Sequence, residues 1–185
     1  MTPKLKLEPG RAAVVVVDVQ ERLAPAMEPG AYAGVLKYGR ALIEGAKALG
    51  MPVLATEQYP KGLGPTVREL AEILPAPPLA KATFSCGADP DFRSELESTE
   101  RRQIILCGME THVCVFQTAR DLAAAGYDVY VCADAVASRT AEHRRVGLDL
   151  AREAGAYVTT AETALFDLLH RAGTPEFKAI SALVK

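Results

Sequence analysis

Residues 12–19 read AAVVVVDV and contain four consecutive valines directly before Asp18. β-Branched residues favour strands, and an apolar run without polar alternation is typical of a strand that is buried on both faces of a parallel sheet. Shorter runs of this kind recur at residues 52–56, 78–81, 103–107, 128–133 and 156–160. The sequence therefore predicts a sheet of several strands with residues 12–19 near its centre.

Helical periodicity fills the segments between these runs. Apolar residues from Tyr32 to Leu49 recur at a spacing near 3.6, and Gly50 follows as a stop signal. Further helices are predicted to begin after Thr66, at residue 111, after Thr140 and after Thr174. Strands that alternate with helices build right-handed βαβ units, so the pattern predicts a doubly wound α/β fold.

The composition narrows the class of protein. The chain has 185 residues, 49% of them hydrophobic and 24% charged, with a net charge of −2. These values are ordinary for a globular protein and predict one domain over residues 1–185; they exclude a disordered or fibrous protein. The charge predicts no nucleic-acid partner, and the longest apolar run, residues 12–17, is far shorter than the ~20 residues of a membrane span.

The cysteines and the N-terminal sequence predict the cellular compartment of the protein. The four cysteines, at positions 86, 107, 114 and 132, form no C-x-x-C motif and no zinc-type spacing with histidine. The N-terminus lacks the apolar region of a signal peptide. We therefore expect a cytoplasmic protein whose cysteines are thiols.

Ligands of open α/β sheets bind beyond the carboxyl ends of the strands, so the residues after each strand carry the most information. The segment after the first strand, DVQER at 18–22, is not a glycine-rich dinucleotide fingerprint. The chain also contains neither a P-loop nor a G-x-S-x-G elbow. Dinucleotide binding, P-loop chemistry and serine-hydrolase chemistry are thereby disfavoured.

Cys114 occupies a position that suits a nucleophile. The fourth strand ends at Cys107 and Gly108, and Cys114 is placed in the first turn of the following helix, which Thr111 is able to cap. The N–H groups and the positive dipole end of a helix start lower a thiol pKa, and the same N–H groups can hold an oxyanion. A buried and inert cysteine fits the spacing equally well.

The partners of such a thiol are found on other strands. His112 is a poor candidate for the base, because two residues along a helix turn a side chain by about 200°, and a structural or pocket-wall role is favoured. Asp18 ends a strongly apolar strand, where burial would make it a proton acceptor; a carboxylate bonded to loop amides is the alternative. Lys81 lies in an apolar run and is able to pair with Asp18, or to reach solvent from a buried stem.

These positions together resemble the isochorismatase-like cysteine hydrolases. The matching motifs are VDVQ at 17–20, K-x-x-FS at 81–85 and GMETHVCV at 108–115. Two longer segments, at 56–67 and 177–185, are similar to the isochorismatase-domain-containing branch of that family. The resemblance extends over the whole chain.

The resemblance implies a mechanism and a topology. Asp18 would be the general base, Lys81 the cation that steadies Asp18 and the thiolate, and Cys114 the nucleophile. The backbone N–H groups of Glu110 and Cys114 would form the oxyanion hole, beside a cis peptide bond between Met109 and Glu110. The implied fold has three α-β-α layers around six parallel strands in the order 3-2-1-4-5-6, so that Lys81 must span two strand spacings, ~10 Å.

Departures from the family pattern disfavour two activities within the family. Nicotinamidases bind a metal through Asp and His residues after the second strand, whereas residues 56–61 read TEQYPK and contain no histidine. We therefore expect no metal and no other cofactor. Isochorismatases that cleave a vinyl ether lack the nucleophilic cysteine, so Cys114 disfavours that reaction.

We therefore expect a metal-independent hydrolase that cleaves an amide or related C–N bond of a small molecule through a cysteine thioester. The residues expected to bind the substrate, by their position after the strands, are Gln20, Leu23, Tyr59, Lys61, Thr111 and His112. Two other functions stay open: a thiol redox or oxidant-sensing protein with Cys86 as the resolving thiol, and a catalytically silent oligomeric scaffold. The tail at 174–185 is apolar, and the resemblance implies a family whose members commonly form dimers and larger assemblies, so we expect a homo-oligomer.

Overall fold

Within the described residues, six parallel strands form one sheet that has helices on both of its faces. The computed structural model describes residues 5–185, so residues 1–4 of the predicted domain lie outside the described part. The strands are β1 (Ala12–Val17), β2 (Val53–Gln58), β3 (Leu79–Lys81), β4 (Gln103–Met109), β5 (Asp128–Ala137) and β6 (Tyr157–Thr159). Their order is β3-β2-β1-β4-β5-β6 and every pairing is parallel, which confirms the topology expected from the resemblance.

Strand β1 is buried on both faces, as its unbroken apolar sequence predicts. Val14 and Val16 belong to one hydrophobic core, and Val15 and Val17 belong to the core on the opposite face of the sheet. Because β1 pairs with β2 on one side and β4 on the other, the residue that follows it, Asp18, emerges near the middle of the carboxyl edge of the sheet.

Eight α-helices occur within residues 5–185. They are α1 (Pro29–Ala48), α2 (Pro60–Leu63), α3 (Arg68–Ala71), α4 (Pro90–Ser98), α5 (Phe116–Ala124), α6 (Ala141–Glu153), α7 (Ala161–Leu169) and α8 (Pro175–Leu183). Buried residues of α1, α7 and α8 pack on one face of the sheet, and those of α4, α5 and α6 pack on the other. The fold therefore has the expected three α-β-α layers.

Several local features differ from the sequence predictions. Thr66 does not cap a helix, because its hydroxyl and its amide both bind the Glu57 carboxylate, at 2.8 and 2.6 Å. Strand β5 runs to Ala137 rather than stopping at residue 133, past an irregularity in its pairing with β4. Helices α4 and α7 were not predicted, although Asp89 and Thr160 cap them in the usual way.

The C-terminal segment docks on its own chain. Thr174 caps α8 by accepting a hydrogen bond from the amide of Phe177, as predicted, and Ile180 is fully buried against the core beneath α1. The ring of Phe177 packs edge-on against Phe166 of α7, with ring centroids 6.0 Å apart. The apolar tail therefore packs on its own chain, with Ile180 buried and Phe177, Leu183 and Val184 half-buried.

None of the helices within residues 5–185 has both the length and the apolar character that a membrane-spanning helix needs.

Candidate active site

Asp18 and Lys81 form a buried ion pair at the carboxyl edge of the sheet. Asp18 leaves β1 in a left-handed backbone conformation with a φ of 50°. Lys81 Nζ lies 2.6 Å from Asp18 Oδ2, and the two side chains are 1% and 0% exposed. Two charges are stable at such depth only when they are paired and hydrogen-bonded, so each residue constrains the other.

The last residues of β2 explain how Lys81 reaches across two strand spacings. Thr56 and Gln58 alternate along β2 and lie between the strands that carry Asp18 and Lys81. Gln58 Oε1 accepts a hydrogen bond from Lys81 Nζ at 2.9 Å. The carbonyl oxygens of Thr83 and Phe84 accept from the same ammonium group, each at 3.1 Å. The lysine side chain is thereby held over β2 by oxygen atoms along its path.

Thr56 binds the other oxygen of the Asp18 carboxylate. Its hydroxyl donates to Asp18 Oδ1 at 2.7 Å, and the Cys86 Sγ lies 3.5 Å from the same hydroxyl oxygen. Cys86 is fully buried, and burial, followed by the nearby charge of Asp18, raises the pKa of its thiol to about 11. Cys86 is therefore a protonated thiol at neutral pH.

Cys114 lies in a single turn of π-helix, Thr111–Val115, that joins β4 to α5. The residue is 6% exposed, and its thiol is hydrogen-bonded to the Asp18 carboxylate. Burial raises the pKa of the Cys114 thiol, and the charge of Asp18 raises it further, whereas Lys81 opposes both. The expectation of a lowered thiol pKa was wrong, because burial and an adjacent carboxylate outweigh the helix start and the lysine.

The π-helical turn is fixed from two directions. The Glu110 carboxylate accepts two hydrogen bonds from the Arg139 guanidinium, both at 2.9 Å, and the Glu110 carbonyl accepts from the amides of Val113 and Val115. The peptide bond between Met109 and Glu110 is cis. On the outer side, α6 approaches so closely that a Cβ on Gly147 would lie 2.6 Å from the amide nitrogen of His112.

His112 and Thr111 flank the thiol in the sequence but have different surroundings. His112 Nδ1 lies 3.0 Å from Ser138 Oγ, and its ring stacks on His143 at a centroid distance of 4.6 Å. Burial lowers the pKa of His112. Thr111 does not act as a helix cap; its buried hydroxyl has no hydrogen-bond partner within residues 5–185.

The remaining predicted substrate-binding residues fall into two groups. The Gln20 amide is buried and bound to main-chain atoms of Gln58 and Gly64, and Leu23 packs against the core. Tyr59 and Lys61 are exposed, and both line a shallow cavity of about 340 Å³ that also touches Lys81. A cavity of about 560 Å³ lies at the other end of the sheet, beside β6 and α7, and includes none of the predicted site residues.

Within residues 5–185, no group of three or more histidine, cysteine, aspartate or glutamate side chains is arranged to hold a metal ion. The residues of this site that sequence reasoning missed are Thr56 and Gln58. The signal was available, since both are polar and end an apolar strand next to the strand that carries Asp18.

Comparison with known proteins agrees with the geometry. The sequence profile of the isochorismatase domain matches residues 12–163. A protein from Phytophthora sojae described as the secreted isochorismatase effector Isc1 is 43% identical over 150 residues, covering 78% of this chain and 71% of its own. Isochorismatase domain-containing protein 2 of Xenopus laevis is 39% identical, covering 97% and 86%. For isochorismatase domain-containing protein 1 of Danio rerio the values are 37%, 97% and 62%, so the chain spans less than two thirds of that relative.

Solved structures share the fold over nearly the whole chain. One described as the MAR1 ribonuclease of Caenorhabditis elegans has a TM-score of 0.90 and 36% identity, covering 97% of this chain and 92% of its own. YcaC of Escherichia coli, described as an octameric hydrolase of unknown specificity, has a TM-score of 0.88 and 27% identity, covering 99% and 92%. YcaC of Pseudomonas aeruginosa, solved with covalent acrylamide, has a TM-score of 0.88 and 25% identity, covering 99% and 93%. This chain belongs to the isochorismatase-like cysteine hydrolase family.

Proposed function

We propose that this protein hydrolyses an amide or related C–N bond of a small molecule through a thioester on Cys114. One observation carries the proposal: the Asp18 carboxylate is held by Lys81 at 2.6 Å and is hydrogen-bonded to the Cys114 thiol. A buried carboxylate in contact with a protonated thiol is the arrangement that general-base activation of a nucleophile needs.

In the first half of the reaction, the Cys114 thiol proton moves to Asp18 as the sulfur attacks the carbonyl carbon. The new S–C bond places negative charge on the carbonyl oxygen, and the amides of Glu110 and Cys114 donate hydrogen bonds to it. The C–N bond then breaks, the proton on Asp18 passes to the leaving nitrogen, and an acyl thioester remains.

In the second half, Asp18 takes a proton from water as the water oxygen attacks the thioester. When the tetrahedral adduct collapses, the S–C bond breaks and the proton returns from Asp18 to Cys114. The net reaction consumes one water and releases an acid and an amine. Lys81 keeps its charge throughout, so that Asp18 is compensated whenever it is ionised.

The substrate is proposed to approach between the π-helical turn and the loop after β2. Tyr59 and Lys61 supply an exposed ring and an exposed cation on that loop. Thr111 supplies a buried hydroxyl that lacks a partner among the described residues. Gln20, Leu23 and His112 are proposed to act as supporting walls, since their side chains already have protein partners.

A panel of small amides, ureides and carbamates tests the proposal. The wild type is expected to hydrolyse at least one class, and Cys114→Ala and Asp18→Asn are expected to lose the activity. Cys132→Ala is the matched control, because Cys132 is a buried thiol in β5, remote from Asp18. A trapped thioester on Cys114, detected by mass spectrometry, is the positive result. Hydrolysis that persists in Cys114→Ala would contradict the mechanism.

The ribonuclease description of the nematode neighbour favours RNA as a second candidate substrate. The net charge of −2 argues against it, since RNA binding normally relies on an excess of cations. A labelled single-stranded RNA in the same panel distinguishes the two, with cleavage that disappears in Cys114→Ala as the result that would favour RNA.

We also propose a homo-oligomer. The octameric description of the E. coli neighbour supports it, whereas the C-terminal helix adds little support, because it already packs against the core of its own chain.

A further inference from the structure

We propose that Thr56 is a positioning residue for Asp18, and that the Cys86 thiol fixes the direction of the Thr56 hydroxyl. This inference rests on the proposed role of Asp18 as the general base for Cys114. It assigns a purpose to two buried polar residues that do not themselves touch the substrate.

The number of hydrogens available for donation determines the direction of the hydrogen bonds among Cys86, Thr56 and Asp18. The Thr56 hydroxyl has a single hydrogen, and the ionised Asp18 carboxylate only accepts, so the 2.7 Å contact uses that hydrogen. The Cys86 thiol, 3.5 Å from the same oxygen, must then be the donor to Thr56. The order of donation is Cys86 to Thr56 to Asp18, and a raised thiol pKa keeps the first proton in place at neutral pH.

The two carboxylate oxygens of Asp18 are consequently held by different elements. Oδ2 binds the Lys81 ammonium, which comes from β3, and Oδ1 binds the Thr56 hydroxyl, which comes from β2. Thr56 also accepts a main-chain hydrogen bond from the amide of Asp18 at 3.2 Å. Because both oxygens are held, rotation of the carboxylate is restricted and the group stays beside the Cys114 thiol.

Cys86 is in turn tied to the helix that follows the nucleophile. Its amide donates to the Thr118 hydroxyl at 2.9 Å, and Thr118 lies on α5, one turn beyond Cys114. The ionisable groups that face Asp18 are Lys81 from β3, Cys86 from the loop after it and Cys114 from the π-helical turn. The relay therefore sets the distance and the angle between base and thiol from both ends.

The test measures the rate at which acrylamide labels Cys114 as a function of pH, by mass spectrometry. The sulfur bonds to the terminal alkene carbon, the thiol proton passes to Asp18, and the neighbouring carbon takes up a proton. Labelling that uses a carboxylate as the base is expected to be independent of pH near neutrality and to fall at acidic pH, because a protonated carboxylic acid cannot act as a base. In Asp18→Asn the pH-independent labelling above this limb should be lost, and the rate should instead rise about tenfold per pH unit with the thiolate fraction; if a pH-independent region persists, the proposed function fails, and this inference fails with it.

Thr56→Val keeps the shape of the side chain and removes the donor. A hydrogen bond donated to a carboxylate favours its ionised form, so its loss should move the acid limb to higher pH by about one unit. Thr56→Ser, which restores the hydroxyl, should return the limb toward its wild-type position. If the limb of Thr56→Val superimposes on that of the wild type, or if labelling slows equally at every pH, the positioning role is refuted while the proposed function stands.

Cys86→Ala supplies a second test that does not depend on Thr56→Val folding. It should move the acid limb in the same direction by a smaller amount, because Thr56 keeps its donor but loses the group that aims it. Cys107→Ala is the matched control: Cys107 is an equally buried thiol on β4, and its sulfur contacts the Val15 carbonyl instead of the Thr56 hydroxyl. Identical profiles for Cys86→Ala and Cys107→Ala would refute the role of Cys86.

Discussion

Lys81→Met should destabilise the fold strongly, and Asp18→Asn should then restore part of the loss. The methionine has nearly the volume of the lysine but leaves the Asp18 carboxylate, which is 0% exposed, without a countercharge. Removing one partner of a buried ion pair costs about 3–5 kcal/mol in the free energy of unfolding. The Thr56 hydroxyl remains as a donor to Asp18, so we expect a value toward the lower end of that range.

The single substitution Asp18→Asn should lower the free energy of unfolding by less than Lys81→Met does. In Asp18→Asn the Lys81 ammonium keeps three oxygen acceptors, from Gln58, Thr83 and Phe84, and loses one charge-assisted hydrogen bond. The loss of such a bond costs about 1.5–3 kcal/mol. In the Lys81→Met background the same substitution removes an uncompensated charge, so its effect on stability should change sign and become favourable.

Urea unfolding of the four proteins of this double-mutant cycle measures the effect. Far-UV circular dichroism is the suitable signal, since the chain contains no tryptophan. All four proteins are compared at one concentration and at neutral pH, with the exposed Lys178→Met on α8 as a control that should stay within about 0.5 kcal/mol of the wild type. If Asp18→Asn destabilises Lys81→Met as much as it destabilises the wild type, the two residues are not energetically coupled and the reasoning is refuted.

Four further outcomes are expected. Gly147→Ala should slow acrylamide labelling of Cys114, because a Cβ there would lie 2.6 Å from the amide nitrogen of His112 and displace the turn; an unchanged rate would count against this packing. Thiolate absorbance near 240 nm should show that Asp18→Asn lowers the pKa of the Cys114 thiol yet leaves it above the usual range, since burial is the larger cause and Asp18 the next; a rise would have the wrong sign. Chelators should change neither activity nor melting temperature, whereas stoichiometric zinc or iron in the purified protein would argue for a metal site. Light scattering should give a mass of at least two chains, and a monomer at micromolar concentration would contradict the homo-oligomer.

The strand pattern and the family motifs predicted the parts of the site that follow from topology. Asp18 and Cys114 follow adjacent strands, β1 and β4, so their proximity is a consequence of the strand order. The contact with Lys81 was expected only from the resemblance, because no local signal tells whether a lysine on the third strand crosses its neighbour. Its path depends on Thr56 and Gln58, which look like ordinary strand-end polar residues in the sequence.

Properties that depend on three-dimensional packing were predicted less well. The sign of the pKa shift of Cys114 was wrong, since the sequence does not reveal how deeply α5 and the sheet bury the thiol. The π-helical turn was also missed, because it precedes α5 and so lies before any apolar periodicity is established. The catalytic roles, the single-domain boundary and the cytoplasmic location stay predictions, and the relative from Phytophthora sojae is described as secreted.

Because β1 is buried on both faces, its hydrophobic pattern does not by itself select the register in which it pairs with its neighbours. In most sheets a slip exchanges the apolar and polar faces and is rejected for that reason, but both faces of β1 are apolar. Gly108 selects the register. It lies opposite Val17 with a φ of 123°, and a Cβ there would lie 2.1 Å from the Val17 carbonyl oxygen. A slip in either direction would bring the side chain of Cys107 or Met109 to that point. The close approach of β1 and β4 at this point therefore favours the register that places a residue without a side chain opposite Val17, directly before Asp18.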